Sequence, residues 1–426
     1  MTEVLAPPAR APITRRSAGP DEVLIVSLYF YPEPAGSAPP ITDLAWWLAE
    51  NGVPTRVVAA RPHYPLGEVF EGYRHGERDT ETVDGVAIRR FPVHVAGDGG
   101  MLSRLRAETG FALRTVLAGR RGRIASSDTV FSVCPSIFGV AAASTLKRRG
   151  GRHVAVVHDI QSGLGAALSM GLTGQLLRIL RWIERTALDR CDAVVTLSEA
   201  MADQLRELGV RRPIVVLPPQ VDVRDFAPET PPATTPFVLY SGNFGRKQGL
   251  DQVLDMAAEL QRRGSPIRVV LRGDGNQRPA LVERAQALGL DNVTFAPLVE
   301  RDRIAAAYAE APVHLIPQNP DGSEFAVPSK VFSIMAAARP FIFTAWPDGP
   351  LDRLGAETAA GVRVPPNDAV AFADAVESLL GDPQRCRAMG ERGRAYVEGH
   401  VDREVVAGRF LELLRSEAAV AHPATD

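Results

Sequence analysis

Short, continuous apolar runs alternate along this chain with longer stretches in which apolar residues recur every three or four positions, and the series is played through twice. The runs in the first half are Val23-Leu-Ile-Val-Ser-Leu28, Thr55-Arg-Val-Val-Ala-Ala60, Thr129-Val-Phe-Ser-Val133, His153-Val-Ala-Val-Val157, Cys191-Asp-Ala-Val-Val-Thr-Leu-Ser198 and Ile214-Val-Val-Leu-Pro-Pro219. Those in the second half are Phe237–Ser241, Ile267–Leu271, Val293–Phe295, Val313–Pro317 and Phe341–Thr344. A strand apolar at consecutive positions is buried on both faces, as in a parallel sheet covered by helices. The helical patterns lie between the runs, at 41–50, 101–123, 174–190, 199–208, 250–263, 278–288, 301–309 and 368–380.

The chain has 426 residues, more than one hydrophobic core fills, so two domains are expected. Residues 221–236 hold Pro228, Pro231, Pro232 and Pro236 without periodicity and read as a linker. The expected division is a disordered lead at 1–20, a first α/β domain at 21–220 and a second at 221–390. A helical segment at 391–418 packs back toward the first domain, and 419–426 form a tail. Each domain reads as a Rossmann-like βα array, and the cleft between their facing strand ends is the expected ligand site. An Asp84-Gly85 pair between Glu81-Thr-Val and Val86-Ala-Ile-Arg-Arg adds a hairpin.

A formal net charge of −2 gives no bulk electrostatic case for nucleic acid. Cys134, Cys191 and Cys386 are far apart and form no CxxC pair, which suggests neither a disulfide framework nor a zinc knuckle and fits a reducing cytoplasm. Residues 1–20 lack the apolar core of a signal peptide, and no run reaches bilayer length. Any membrane contact is therefore expected to be peripheral, at the inner face. The segment 101–123 sets Arg104, Arg106, Arg114, Arg120, Arg121 and Arg123 among leucines, a pattern that suits either an anionic membrane surface or a solvated face.

Candidate chemistry gathers at the carboxyl ends of the apolar runs. After Val313–Pro317 comes Glu324-Phe-Ala-Val-Pro-Ser-Lys-Val-Phe-Ser-Ile-Met335, an acidic loop running into a short helix. Pro328 suits a first helical turn, Ser329 a cap, and first-turn N–H groups beside Lys330 would face an anion. The stretch reads as a phosphate cradle next to a carboxylate, or as an ordinary capped junction. Gly242-Asn-Phe-Gly-Arg-Lys-Gln-Gly249 frames Arg246 and Lys247 with glycines, giving either a backbone that can approach a diphosphate or a wet basic loop. His158-Asp159 ends a strand, where a neutral imidazole oriented by Asp159 could meet a hydroxyl or simply cap the loop. Gly36 and Ser37, in the loop Tyr29–Ala38, admit close approach of a substrate or form a plain turn.

Taken together and in order, these residues resemble family 4 of the nucleotide-sugar glycosyltransferases, and within it the bacterial exopolysaccharide branch typified by the colanic-acid enzymes. The markers are the Tyr31-Pro-Glu-Pro34 loop with Gly36, His158-Asp159, Asp192-Ala-Val-Val-Thr-Leu-Ser198, Leu217-Pro-Pro-Gln-Val-Asp222, the 240–249 loop, Gly273-Asp-Gly275 and Val327-Pro-Ser-Lys-Val331 before Met335-Ala-Ala. The resemblance covers residues 22 to about 410. It implies an α/β, GT-B fold and a retaining, metal-independent transfer from a nucleoside-diphosphate sugar, with no cofactor. The acceptor would be a glycan, a lipid-linked molecule or a small molecule.

By the same resemblance Lys247 binds the donor diphosphate with help from Arg246, Gly242, Ser329 and Lys330. Glu324 contacts the transferred sugar, His158 faces the reacting centre, and Gly36 lines the cleft. Two positions depart from the family pattern. Phe332 stands where a second Glu contacts the ribose, and Ala338 stands where Gly commonly ends the helix, at a cost of about 1 kcal/mol if it is left-handed. A nucleotide-sugar 2-epimerase and a non-catalytic scaffold of the same fold are the competing readings.

Overall fold

The computed structural model describes residues 22–34, 36–64, 67–95, 101–134, 136–158, 160, 174–226, 237–299, 303–319 and 327–415. The expected lead at 1–20 and the tail at 419–426 lie outside the described residues. The chain divides into two compact units, one of residues 1–217 with 407–426, the other of residues 218–406.

In the first unit the strands are β1 (Val23–Val26), β2 (Thr55–Ala60), β3 (Thr80–Val83), β4 (Val86–Phe91), β5 (Ser127–Cys134), β6 (Lys147–Val157), β7 (Ala193–Thr196) and β8 (Ile214–Val216). They form one sheet in the order β3-β4-β2-β1-β5-β6-β7-β8. Every pairing is parallel except β3 with β4. That hairpin turns on Asp84 and Gly85, both at positive φ, as a two-residue turn between right-twisted strands requires. Helices α1 (Ala38–Glu50), α2 (Met101–Arg120), α3 (Ile137–Ser144), α4 (Gly174–Leu188) and α5 (Glu199–Glu207) connect the strands. Ser198 caps α5 by accepting the Met201 N–H at 3.3 Å, as expected.

The second unit places β9 (Phe237–Asn243), β10 (Arg268–Asp274), β11 (Val293–Ala296), β12 (Val313–Ile316), β13 (Phe341–Thr344) and β14 (Gly361–Val364) in a parallel sheet ordered β11-β10-β9-β12-β13-β14. Its helices are α6 (Asp251–Arg262), α7 (Arg278–Ala287), α8 (Ile304–Glu310), α9 (Lys330–Ala336), α10 (Pro350–Thr358), α11 (Ala369–Leu380) and α12 (Pro383–His400), and α13 (Arg403–Arg415) starts in this unit and continues into the first. Asp368 and Asp382 cap α11 and α12 through bonds of 2.9 Å to the third residue on. Among the apolar runs, β1, β7, β12 and β13 are buried at every position, whereas β8 and β11, at the sheet edges, are only partly buried.

One expected boundary moves. Residues 391–406 belong to the second unit, not to a returning segment, because Val397 and Val401 of the α12 region join the Phe332–Phe341 core. The first unit regains the chain at Ala407, and Phe410 then meets Phe131 with ring centroids 5.0 Å apart. Three elements had no counterpart among the expected ones. Helix α3 is apolar all round and shows no amphipathic period, β14 is too short to carry one, and α10 buries one face through Leu351, Leu354 and Thr358, a pattern that went unread in the sequence.

Candidate functional site

Strand order decides where each unit can bind a ligand. In an open parallel sheet the loops diverge at the carboxyl ends of the two strands where the order reverses. In the second unit those strands are β9 and β12, which puts the 242–249 loop beside the chain after β12.

The two loops are stitched together. Asn319 N–H donates to the Lys247 carbonyl at 2.9 Å and its side-chain amide to the Arg246 carbonyl at 3.3 Å. Gln252 at the start of α6 donates to the Gln318 carbonyl at 2.9 Å and accepts the Asn367 N–H at 2.8 Å. Gly249, left-handed at φ +57, could not carry a Cβ, which would lie 2.8 Å from the Asn319 nitrogen. Arg246 and Lys247, on a 3-10 turn Arg246–Gln248, thus project exposed cations from a loop with a fixed backbone.

Lys330 lies at the centre. Its Nζ sits 3.9 Å from the centroid of the Tyr240 ring, and a Cβ on Gly242 would fall 2.7 Å from that Nζ. Tyr240 and Gly242 are two apart on β9, so they share a face of the strand. The Tyr240 hydroxyl donates to the Asn243 carbonyl at 2.6 Å, which fixes the ring under the ammonium. Burial pushes Lys330 down to about 7, the ring face favours the ammonium, and no carboxylate among the described residues pairs with it. Such a cation gains much from an arriving anion.

The neighbouring edge is just as tight. Gly273 pairs with Gly242 across the ladder, and a Cβ at Gly273 would collide with the Gly242 carbonyl. Gly275 faces the Asn243 side chain and Phe244 carbonyl, each 2.6 Å from where its Cβ would be. These glycines let the ends of β9 and β10 meet.

In the first unit the order reverses between β1 and β5. Gly36, at φ +69, and Ser37, at the start of α1, follow β1. His158 follows β6 on the same edge, separated from β1 by β5, with its N–H on the Cys134 carbonyl at 3.4 Å. Burial lowers its imidazole to about 4, so it is neutral at physiological pH.

A model of the glycosyl transferase 4-like domain matches residues 35–220, and one of the glycosyl transferases group 1 matches 223–396. The chain is 28% identical over 416 residues to a putative colanic acid biosynthesis glycosyl transferase of Escherichia coli, covering 92% of this chain and 100% of that protein.

The chain belongs to the family 4 glycosyltransferases.

Among solved structures it is similar to sucrose-phosphate synthase from Thermosynechococcus elongatus, with TM-score 0.67 and 20% identity over 92% of this chain and 98% of that one. It is similar also to Anabaena HepE in complex with UDP, with TM-score 0.65 and 15% identity over 92% and 99%. The glycosyltransferase therefore has the GT-B fold.

Of the residues singled out in the sequence of this glycosyltransferase, Gly242 and Lys330 touch, and Arg246 and Lys247 stand on the loop that follows Gly242. Glu324 and Asp159 lie outside the described residues. Ser329 is not a cap. Its φ of −55° and ψ of −28° are already helical, and its side chain makes no capping bond. The Val331 and Phe332 N–H groups turn back to the Pro328 and Ser329 carbonyls at 3.0 and 3.1 Å, so the expected amide cradle is narrower than a whole first turn. Phe332 is buried in the core with Val331, Ile334 and Met335, so the family's ribose-contact position is an apolar anchor here.

Two contributors to the glycosyltransferase's site went unread in the sequence. Tyr240 was signalled only by its strand period with Gly242, and Gln252 only by its place in the first turn of α6.

Proposed function

We propose that this glycosyltransferase moves a hexosyl or N-acetylhexosaminyl group from a nucleoside-diphosphate sugar to a hydroxyl of a glycan, lipid-linked or small-molecule acceptor. The anomeric configuration is retained and no metal is required. The observation that carries the reading is the Lys330 ammonium, seated on Tyr240 against Gly242 at the strand-order reversal, with Arg246 and Lys247 on the adjoining loop. As the anomeric C–O bond breaks, charge grows on the leaving diphosphate. Cations already held in place stabilise that charge without reorganising. Glu324 holds the transferred sugar, Ser329 contributes its main-chain N–H to the phosphate, and the neutral His158, oriented by Asp159, meets the reacting centre. HepE, which shares the fold, has been crystallised with UDP and with UDP-glucose, which supports a nucleotide-sugar donor.

The first unit is the acceptor side, and it rests against an anionic membrane at the cytoplasmic face. Helices α2 and α4 both pack on α3, and between them they expose Leu105, Leu113, Ile179 and Trp182 alongside Arg106, Arg114 and Arg181. Apolar and cationic side chains together suit an interface where acyl chains and phosphates meet. Among the described residues no helix is long and apolar enough to cross a membrane.

A donor screen with UDP-, GDP- and dTDP-sugars, read by nucleoside diphosphate released in the presence of EDTA, tests the reading. Release from one donor class is expected, with Lys247→Ala reducing it by about tenfold to a hundredfold, the loss of one charge-assisted phosphate bond. Wild-type turnover by Lys247→Ala at saturating donor would refute the assignment. Consumption of UDP-GlcNAc to a 2-epimer without acceptor would make the chain an epimerase.

A further inference from the structure

The loop after β1 contains a construction that the donor chemistry leaves unused. Glu33 is 4% exposed, and its carboxylate accepts three main-chain N–H groups: Phe30 at 3.1 Å, His63 at 2.8 Å and Tyr64 at 2.9 Å. Burial pushes its carboxyl up to about 7, while the three donors favour the ionised form. His63 and Tyr64 belong to the loop after β2, thirty residues on, so one buried carboxylate locks two strand-end loops together.

What that lock presents is an aromatic surface. Tyr64 is clamped through its backbone, yet the residue remains 43% exposed. Its ring lies 5.5 Å from that of Tyr29 at 58°, and Tyr29 in turn lies 5.5 Å from His63. Gly36 fits against the exposed ring, with its would-be Cβ only 3.5 Å from Tyr64 Cε1. A larger residue there, at φ +69, would be strained and would crowd that edge of the ring. Beside it Ser37 is buried, and its hydroxyl has no hydrogen-bond partner among the described residues. The cluster lies at the carboxyl end of β1, next to the strand-order reversal.

An exposed Tyr held rigid from behind gives up little entropy when something stacks on it, and it offers one apolar face with a polar rim. We propose that Tyr64, backed by Tyr29, is the platform on which a saccharide ring of the acceptor lays its C–H face. The backbone at Gly36, set against the edge of the Tyr64 ring, meets the hydroxyl groups of that saccharide ring. Glu33 is a positioning residue that acts through the Tyr64 main chain. This names the acceptor class as a glycan or glycoside, and it rests on the reading of the first unit as the acceptor side.

Saturation-transfer NMR on the full chain, with the methyl glycosides of glucose, galactose, mannose and N-acetylglucosamine as probes, tests it. Calorimetric titration of UDP, GDP and dTDP runs in parallel. Wild-type protein is expected to transfer saturation to the ring C–H protons of at least one glycoside. Tyr64→Ala should lower that signal about fivefold, and Tyr64→Trp should keep it. Glu33→Gln offers one acceptor oxygen in place of two, so it should weaken the glycoside signal and leave nucleotide affinity unchanged. Wild-type signals from Tyr64→Ala, or no signal from a wild-type chain that binds a nucleotide, would overturn the platform. A Tyr64-dependent glycoside signal upholds the platform, and if no nucleotide then binds, only the transferase reading falls.

Discussion

At the scale of single residues, burial makes Lys330, the cation proposed to meet the donor diphosphate, responsive to pH. The unfolded side chain titrates near 10.4 and the folded one at about 7, so between those values the unfolded chain holds more protons. Its contribution to stability therefore rises with pH. Diphosphate affinity runs the other way, because the anion needs the ammonium and binding above pH 7 must take up a proton. From pH 7.5 to 9, where the nucleotide's phosphates are already ionised, calorimetry should find UDP affinity falling by up to about tenfold per unit. Lys330→Met should bind more weakly and show a flat profile; a slope unchanged in that variant would mean another group takes up the proton. Lys330 itself was legible in the sequence as a cation near a helix start. Its desolvation was not, because Tyr240 and Gly242 reach it only through the pairing of β9 with β12.

At the scale of elements, the short helix α9 is a local compromise held by its neighbours. Seven residues are too few to be helical alone, and its carbonyl end is satisfied from outside: Arg394 of α12 donates to the Ala336 carbonyl, and Arg339 turns away to the Ala309 carbonyl at 2.7 Å. Glycines in α12 permit this approach, since a Cβ on Gly390 would collide with the Ala338 carbonyl and one on Gly393 would lie 2.9 Å from Met335 Cγ. Ala338 ends the helix at φ +53, the left-handed conformation that the departure from the family pattern implied. Ala338→Gly should raise stability by about 1 kcal/mol, and Ala338→Val should lower it, as measured by urea denaturation. A destabilised glycine variant would show that the Ala338 methyl packs better than its backbone strain suggests.

Across the whole molecule, charge is distributed against the average. The chain carries a net −2, yet the helices on one side of the first unit expose cations among apolar side chains, with Ile179 54% and Trp182 60% exposed. Vesicles containing phosphatidylglycerol should therefore pellet the protein, and neutral phosphatidylcholine vesicles should do so weakly. Raising salt from 0.1 M to 1 M shortens the screening length from about 10 Å to about 3 Å and should release most of it. Trp182→Ala should weaken binding further at every salt concentration. Equal pelleting by both lipids would remove the charged part of the argument.

The class of fold was legible in the sequence, because apolar runs of strand length alternating with helical periods are what a parallel sheet covered by helices on both faces requires. The positions of His158 and Lys247 just after strands were legible for the same reason, because a period change marks where β6 and β9 stop, whereas Lys330 was legible only as a cation at a helix start. Local caps such as Ser198 were readable because they need only a side chain and an amide three residues away. Strand order, the touching of Lys330 and Gly242, and the clamp from Glu33 to Tyr64 were decided by tertiary structure alone. Each joins segments tens of residues apart through hydrogen bonds or close packing, and none of the three leaves a periodic trace in the chain.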